Sequence, residues 1–475
     1  MTVADRRQGG RLLGLVRDAF GVALPAASAV VLAACASGAA LTGGAPTGGT
    51  PPSAIATSAV PPAPAGPRLV ALPGARVDTD TIIAATRSPA APRPTLASLA
   101  VASAAPRQAR SGRSDAAVAG DAFEVVPILW ATDRRATREE SSGHGPGYQP
   151  VAFGPERGET LSRGIARITI PKAKRAFGAI PRPREVTLLS VNLYRQAEDP
   201  RMHFTVGEVT RLSDEAFRTA ARELLAGAAG FKGQCFLYVH GYRNTFDDAL
   251  FRAAQMTADM GFDGLTLVYS WPSKGRLDGY LADRDSVDVS QPHFRRYLED
   301  LEATSGCERV HIVAHSLGAR LVVDTFFPAS GGSGQRAFGR IGQIVLASPD
   351  IDAGILKSRA AAIGETARSV TLYANGHDEA LKWSRRFAGG YTRAGDLVAG
   401  EPVVVAGIDT IDLTPMSKAT WVFVGANHNA YAEGRHVLHD IAMLMQRGVR
   451  PPDRRFAVYR PVAGAAGTFW RYVAN

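Results

Sequence analysis

The N-terminal quarter of the chain lacks the residues that build a hydrophobic core. Residues 36–118 contain few large apolar side chains and almost no aromatic ones, while Ala, Pro, Gly, Ser and Thr dominate. Such a segment cannot bury enough apolar surface to offset the conformational entropy that folding removes. This composition excludes a packed domain in that part of the chain, and we expect a flexible tether there.

The chain also lacks a concentrated basic surface, although its formal net charge is +10. Residues 1–118 contain 11 Arg and 5 acidic residues, so +6 of the net charge lies in this N-terminal part and about +4 remains for the rest. No basic stripe interleaved with aromatic residues is present. Nucleic-acid binding is therefore not expected.

A long, uninterrupted apolar segment is also missing from the N-terminus. Four arginines precede the modestly apolar run AFGVALPAASAVVLAAC, which Pro25 interrupts. A basic start, a short apolar core and small residues before a cleavage point are typical of a secretory signal, not of a membrane-spanning helix. The LAAC stretch resembles the lipobox of bacterial lipoproteins, which implies a signal peptide at residues 1–34 and lipid attachment at Cys35. An ordinary secreted protein and a signal anchor are the alternatives.

Two cysteines remain for the folded part, Cys235 and Cys307. Each lies at or just before the start of a predicted strand, and these strands would be parallel neighbours. An oxidising periplasm permits a disulfide between them. The interpretation favoured by the sequence is nevertheless two separate buried thiols.

From Phe123 onward the chain has the composition of a folded protein, and we place one folded domain at residues 119–475, preceded by the tether at residues 35–118. After several N-terminal strands, apolar runs alternate with amphipathic helices, predicted near residues 213–228, 245–260, 291–304, 353–366, 379–387 and 434–447. This alternation predicts an α/β fold with a mostly parallel sheet covered on both faces and extra N-terminal β-strands.

The segment VHIVAHSLGARLVV nearly matches the G-x-S-x-G motif of a nucleophile elbow, with Ala314 in place of the first glycine. A predicted strand runs into Ser316 and a predicted helix leaves it, which is the context that the motif requires. A methyl group is the smallest departure from glycine, and Gly318 keeps the second glycine position. The pattern predicts that Ser316 is a nucleophile.

A serine nucleophile needs a base that an acid orients, and in this fold the chain order is nucleophile, acid, base. His428, in a loop after the last predicted strand, is the expected base. Asp378 follows a strand and lies between Ser316 and His428 in the sequence, so it is the expected acid. Asp350 and Asp352 end the preceding strand and are the alternatives, unless they cap the next helix.

Acyl transfer also needs donors for a developing oxyanion. The backbone N–H of Leu317, directly after the serine, is one expected donor. The loop YVHGYRNTF follows an earlier strand and should supply the second donor, the N–H of Tyr242. His240, Gly241 and Trp271 are expected to line the cleft.

Several motifs together resemble a bacterial α/β-hydrolase family known as domain of unknown function 900, whose members are described as esterase/lipase-superfamily proteins. They are LWATDR, VHGYRNTFDDAL, VYSWPSKG, AHSLGAR, ASPDID, NGHDEAL and the loop around His428, and the similarity covers nearly all of residues 123–445. The resemblance implies an α/β-hydrolase fold and a Ser316–Asp378–His428 triad. It implies no substrate.

These observations predict a lipid-anchored serine hydrolase of the bacterial cell envelope. We expect a carboxylesterase that faces the periplasm, with the outer membrane favoured over the inner one, and that requires no metal or organic cofactor. Its partners would be a small ester substrate and the membrane that holds its anchor. The alternative is a non-catalytic binding protein that retains the fold.

The segments that border the predicted cleft are SWPSKGRLDGYLADRDSVDVSQ and KWSRRFAGGYTRAGDLVAGE, both rich in glycine and charge. The 16 residues between ASPDID and SVTLYAN, 353–368, are too few for a separate lid. An open site with a polar rim is therefore expected, and with it a preference for short acyl esters.

Overall fold

The computed structural model describes residues 122–139, 148–172, 175–188, 191–327, 338–416, 428–451 and 458–473. The predicted signal peptide, Cys35 and the predicted tether lie outside the described residues, so those predictions stay predictions. Within the described ranges, no helix is both long and apolar enough to cross a membrane.

One sheet of eleven strands, counted over the described residues, organises the domain in the order β14-β15-β13-β10-β9-β8-β6-β7-β1-β2-β5. Neighbouring strands from β13 to β1 are parallel, whereas β2, β5 and β14 pair antiparallel to their neighbours. The strands of this sheet are β1 (Phe123–Glu139), β2 (Tyr148–Pro171), β5 (Thr205–Leu212), β6 (Gln234–Val239), β7 (Leu265–Ser270), β8 (Arg309–His315), β9 (Ile341–Ala347), β10 (Ser369–Ala374), β13 (Ile408–Asp412), β14 (Tyr459–Gly464) and β15 (Gly467–Tyr472).

In the described part of the chain, two strand pairs lie outside this sheet: β3 (Glu185–Leu188) with β4 (Val191–Arg195), and β11 (Leu397–Val398) with β12 (Glu401–Pro402). The helices are α1 (Asp214–Ala226), α2 (Phe246–Met260), α3 (Tyr280–Thr304), α4 (Leu317–Phe326), α5 (Ala353–Thr366), α6 (Glu379–Phe387), α7 (Ala430–Glu433) and α8 (Arg435–Arg447), with short 3₁₀ turns at Leu277–Gly279 and Thr414–Met416.

The parallel strands are buried on both faces because helices cover both sides of the sheet. Along β6, Cys235 and Leu237 belong to one core cluster with residues of α1, α3, α4 and α5. The alternating residues Phe236 and Tyr238 belong to a second cluster with α2 and α8. Side chains of a strand point alternately to opposite faces, so the apolar run QCFLYV fills both cores at once. The predicted α/β class is confirmed.

Helix starts follow local signals that the sequence contains. Ser213 accepts a hydrogen bond from the backbone N–H of Ala216 and so caps α1. Thr245 caps α2 in a capping box with Asp248, and Gly261 ends this helix in a left-handed conformation. These caps satisfy backbone groups that a helix end leaves unpaired.

Helix α3 begins at Tyr280, eleven residues before the predicted start at residue 291. The segment between these positions was expected to be a polar loop. Its buried face consists of Asp283, Ser286, Val287 and Ser290. This spacing is helical, but three of the four residues are polar, so the apolar period that marks a helix is missing. Strands β14 and β15, after the last predicted helix, were not predicted either.

Cys235 and Cys307 form a disulfide, with their Cα atoms 5.9 Å apart. The interpretation favoured by the sequence, two separate thiols, was therefore wrong. Cys235 pairs with Val310 near the start of β8, which places it close to the residues just before that strand. The bond joins neighbouring strands at the end of the sheet opposite the turn that carries Ser316.

Candidate active site

Ser316 occupies a sharp turn between β8 and α4. Its backbone angles are φ 53° and ψ −123°, and such a positive φ is costly for a residue with a side chain. The turn is fixed on both sides: the Ser316 N–H donates to the carbonyl of Ala347, and the Asp350 N–H donates to the carbonyl of Ser316. This geometry holds the serine at the carboxyl edge of the sheet.

Two glycines allow the loop after β6 to pass directly against this turn. A Cβ atom on Gly318 would lie 2.3 Å from the carbonyl oxygen of His240, and one on Gly241 would lie 2.7 Å from Cβ of Ser316. Neither position has room for a side chain. Ala314, which replaces the first glycine of the motif, is buried in β8.

His428 and Asp378 meet at the same edge of the sheet. The carboxylate of Asp378 accepts a hydrogen bond of 2.7 Å from Nδ1 of His428 through one oxygen and one of 3.1 Å from the backbone N–H of Leu381 through the other. The latter bond makes Asp378 the N-cap of α6, just after β10. Nε2 of His428 is buried and has no hydrogen-bond partner among the described residues.

Charge raises the basicity of His428. Burial lowers its pKa, but the negative charge and hydrogen bond of Asp378, together with the charge of Asp350, outweigh burial and raise the pKa above its ordinary value. Burial of this ring therefore does not prevent it from accepting a proton, because a carboxylate stabilises the cation that forms.

His315 supports the His428 loop, a role that was not predicted from the sequence. Its Nε2 lies 3.0 Å from the carbonyl oxygen of His428, and the two rings are 4.4 Å apart. Burial, followed by the charge of His428, holds the pKa of His315 well below its ordinary value, so it is neutral and donates this hydrogen bond. Its place inside AHSLG, next to the serine, was the available signal.

Neither alternative acid bonds to His428. The carboxylate of Asp350 accepts hydrogen bonds from the hydroxyls of Tyr280 (2.8 Å) and Ser384 (2.5 Å). Asp352 accepts from the backbone N–H groups of Gly354 and Ile355 and so caps α5. Of the three aspartates considered, Asp378 is the one in the position of a triad acid.

Tyr242 and Leu317 lie on the two segments that meet at Ser316. Leu317 is the first residue of α4, so its N–H belongs to the unpaired first turn of that helix. No hydrogen bond of either backbone N–H occurs within the part of the chain that the structure describes. Both donors are therefore unpaired within the described protein.

A buried arginine from β1 holds the loop after β6. The guanidinium of Arg134 donates to the carbonyl oxygens of Asn244 (2.9 Å) and Ser273 (3.1 Å) and to the hydroxyl of Ser270 (2.9 Å). Burial lowers its pKa to about 10, so it stays a cation at neutral pH. Arg134 ends the LWATDR motif, whose role the sequence alone did not reveal.

The prediction that His240 and Trp271 line the cleft was wrong. Both side chains are fully buried, and their rings stack at 4.8 Å behind the loop. Trp271 Nε1 donates to the carbonyl oxygen of His240. Burial, with the charge of Arg134 adding to it, lowers the pKa of His240 to about 3, so this histidine supports the loop in its neutral form. Gly241 is also buried and contributes by allowing the close approach described above.

The cleft in front of Ser316 has a volume of about 250 Å³. Apolar and aromatic side chains make up most of its lining, in contrast to the predicted polar rim. The lining residues are Tyr242, Leu277, Tyr280, Ser316, Asp350, Ala380, Leu381, Trp383, Ser384, Phe387 and His428. The two segments that were predicted to border the cleft are rich in glycine and charge, but their apolar side chains are the ones that face it. Composition alone does not show which side chains of a segment face a cleft. No cluster of metal-binding side chains occurs among the described residues.

The family comparison agrees with this architecture. Residues 218–447 match the family described as α/β hydrolase of unknown function (DUF900). Among solved structures, the chain is similar to a predicted CIB-like hydrolase from Thermoplasma acidophilum, with 12% identity, a TM-score of 0.26, and coverage of 56% of this chain and 98% of that chain. No curated protein matches the chain.

The parallel sheet, the serine at its strand-to-helix turn and the family match point to one conclusion. The segment from residue 218 to residue 447 has the sequence pattern of the α/β-hydrolase family of unknown function (DUF900), whose model it matches.

Proposed function

We propose that the protein is a serine hydrolase, most specifically a carboxylesterase, in which Ser316, His428 and Asp378 form a catalytic triad. The observation that carries this proposal is the position of His428. Its Nδ1 is bonded to Asp378, while its Nε2 is buried, unpaired among the described residues and part of the cleft that contains Ser316.

In the proposed reaction, Oγ of Ser316 attacks the carbonyl carbon of the ester while Nε2 of His428 accepts the hydroxyl proton. His428 then gives this proton to the leaving alcohol, and an acyl-enzyme remains on Ser316. A water molecule, activated by the same histidine, releases the acid and restores the serine. Asp378 stabilises the imidazolium in both steps.

The negative charge that develops on the ester oxygen would be bound by the N–H groups of Tyr242 and Leu317. Donors that are fixed before the reaction need no reorganisation as the charge appears. Arg134 contributes to this rigidity because it holds the carbonyl of Asn244, two residues after Tyr242. The short-acyl preference expected from the sequence depended on a polar rim, whereas the lining of this cleft is mostly apolar.

The test is labelling with a fluorophosphonate probe, together with turnover of matched ester, thioester and amide substrates. We expect the probe to label the wild-type protein and not Ser316→Ala, and ester turnover to disappear in the same variant. Ser348→Ala is the matched control, because Ser348 is another buried serine with positive φ after a neighbouring strand. Undiminished turnover in Ser316→Ala would contradict the triad. Absence of labelling and of turnover in the wild-type protein would favour a binding protein.

We further propose that Cys35 carries a lipid anchor and that residues 35–118 form a tether to a domain facing the periplasm. The support is the LAAC motif after a basic, apolar leader and the composition of the tether. Cys35→Ser should abolish lipidation and partitioning into detergent while ester turnover persists. Unchanged partitioning of this variant would show that another segment binds the membrane.

A further inference from the structure

We propose that the substrate of this site carries an extended apolar group, such as a medium-length acyl or alkyl chain, which lies against one wall of the cleft. This inference rests on the proposed function, since it assumes that an ester reacts at Ser316. The wall consists of Leu277, Tyr280, Trp383 and Phe387, and we call it the apolar wall.

Large apolar side chains of the wall are exposed at the mouth of the cleft. The exposed fractions are 56% for Leu277, 42% for Trp383 and 62% for Phe387. Exposed apolar side chains that cluster at a cavity, instead of lying singly on the surface, are typical of a binding site. All three line the same cavity as Ser316 and His428.

Aromatic rings form a continuous series from the loop beside Ser316 to the outside. The ring centroids of Tyr242 and Tyr280 are 5.4 Å apart, those of Tyr280 and Phe387 are 6.3 Å apart, and those of Phe387 and Trp383 are 5.7 Å apart. Trp383 and Phe387 are four residues apart on α6, so they lie on one face of this helix. A chain attached to an ester at Ser316 can therefore follow one apolar surface outward.

Polar side chains of the cleft offer a substrate few free hydrogen-bonding groups. Asp350 already accepts from Tyr280 and Ser384, and the hydroxyl of Tyr242 donates to the carbonyl of Leu277. A sugar or a charged group placed here would lose its bonds to water without replacing them, which is costly. An apolar chain loses no such bonds.

The polar cavity next to the cleft does not compete as the recognition element. It has a volume of about 310 Å³ and includes Arg320 and Arg393 in its lining. These arginines form ion pairs with Asp288 and Asp350, respectively. The third arginine of this lining, Arg284, forms no ion pair among the described residues, but it lies in the polar cavity and does not line the cleft that contains Ser316.

The magnitude of the expected selectivity follows from burial. Full burial of one methylene group raises a binding constant roughly fourfold. Here we expect a rise of roughly twofold per methylene, because the wall leaves one side of the chain in water. From a butyryl to an octanoyl ester, which differ by four methylenes, kcat/KM should rise roughly 16-fold.

The first experiment measures kcat/KM for p-nitrophenyl acetate, butyrate and octanoate below their micelle concentrations, and for a matching series of alkyl acetates. We expect kcat/KM to rise with the length of the acyl chain, of the alkyl chain, or of both. The ratio of octanoate to acetate should fall in Phe387→Ser and Trp383→Ser. In the control Val289→Ser the ratio should stay at the wild-type value, since Val289 is 43% exposed and lies on α3 outside the cleft. Thermal unfolding checks that the variants remain folded.

A second experiment separates this inference from the proposed chemistry. Ser316→Ala is titrated with methyl octanoate and methyl acetate while the fluorescence of the exposed Trp383 is followed. We expect methyl octanoate to bind more tightly than methyl acetate, and Phe387→Ser to weaken the binding of methyl octanoate. This result supports the apolar wall even if the wild-type protein hydrolyses no ester. Ester turnover with a flat chain-length series, or unchanged ratios in both wall variants, overturns the inference and leaves the catalytic proposal in place.

Discussion

Replacement of Asp378 by Asn removes a negative charge beside His428 and preserves the size of the side chain. During the proposed reaction His428 becomes a cation whose Nδ1 is 2.7 Å from the carboxylate of Asp378. At an effective dielectric constant of about 20, opposite unit charges at this distance attract by about 6 kcal/mol. Both side chains are almost fully buried, so solvent screens this attraction little. Since about 1.36 kcal/mol equals one decade in rate, we expect kcat to fall by on the order of 10⁴-fold.

The assay is the hydrolysis of an activated ester, with the rate of fluorophosphonate labelling as an independent measure of serine reactivity. The control variant is Asp350→Asn. Asp350 lies in the same cleft but bonds to Tyr280 and Ser384 instead of His428. We expect this control to lose less than about tenfold, because no contact with the imidazole is broken. A larger loss in Asp350→Asn than in Asp378→Asn would refute the assignment of the acid.

The pH dependence of activity is a second test of the Asp378–His428 pair. His428 accepts a proton only in its neutral form, so activity falls as the pH drops through its pKa. Burial lowers that pKa, but Asp378 and Asp350 together raise it above the ordinary 6.5. The acid limb of kcat/KM should therefore lie above 6.5 in the wild-type protein and move to lower pH in Asp378→Asn.

Three further predictions follow from the packing around Ser316. In Gly241→Ala the new methyl would lie 2.7 Å from Cβ of Ser316, so the loop after β6 should shift. We expect kcat/KM to fall about 10²-fold to 10³-fold, as for loss of one oxyanion donor. An unchanged kcat/KM would contradict the proposed role of this loop. Arg134→Lys keeps the charge but not the planar set of donors, so kcat should fall about 10²-fold with a smaller change in KM, whereas equal changes in both would indicate a different role. The double variant Cys235→Ser/Cys307→Ser loses a disulfide that joins cysteines 72 residues apart. Its free energy of unfolding in urea titrations should be about 4 kcal/mol lower than that of the wild-type protein. Equal free energies of unfolding, within experimental error, would refute this prediction.

The sequence predicted the fold class and the positions of Ser316, Asp378 and His428 relative to strands because these features have local signals. Apolar runs mark the buried parallel strands, and caps such as Ser213 and Thr245 mark helix starts. The carboxyl ends of parallel strands lie at one edge of a sheet, so residues far apart in the chain could be placed together. The catalytic roles stay predictions until they are tested.

Features that depend on side-chain direction could not be predicted. Helix α3 buries Asp283, Ser286 and Ser290, whose polarity hides the helical period. Trp383 and Phe387 lie in a segment rich in charge, and composition does not show which side chains face the cleft. The pairing of Cys235 with Cys307 depends on the register between neighbouring strands, which spacing alone does not give.

The contacts of β1 determine where an independently folding piece of this protein must begin. Leu129 to Thr132 of β1 pair with Leu267 to Ser270 of β7, and Arg134 donates to the carbonyls of Asn244 and Ser273. A protein shortened to residues 218–447 would leave β7 with a bare, apolar edge, and such edges promote aggregation. The two carbonyls would also lose their charged donor. Expression boundaries drawn from the family match alone should therefore give insoluble protein, whereas a start before Phe123 should give a soluble and active one.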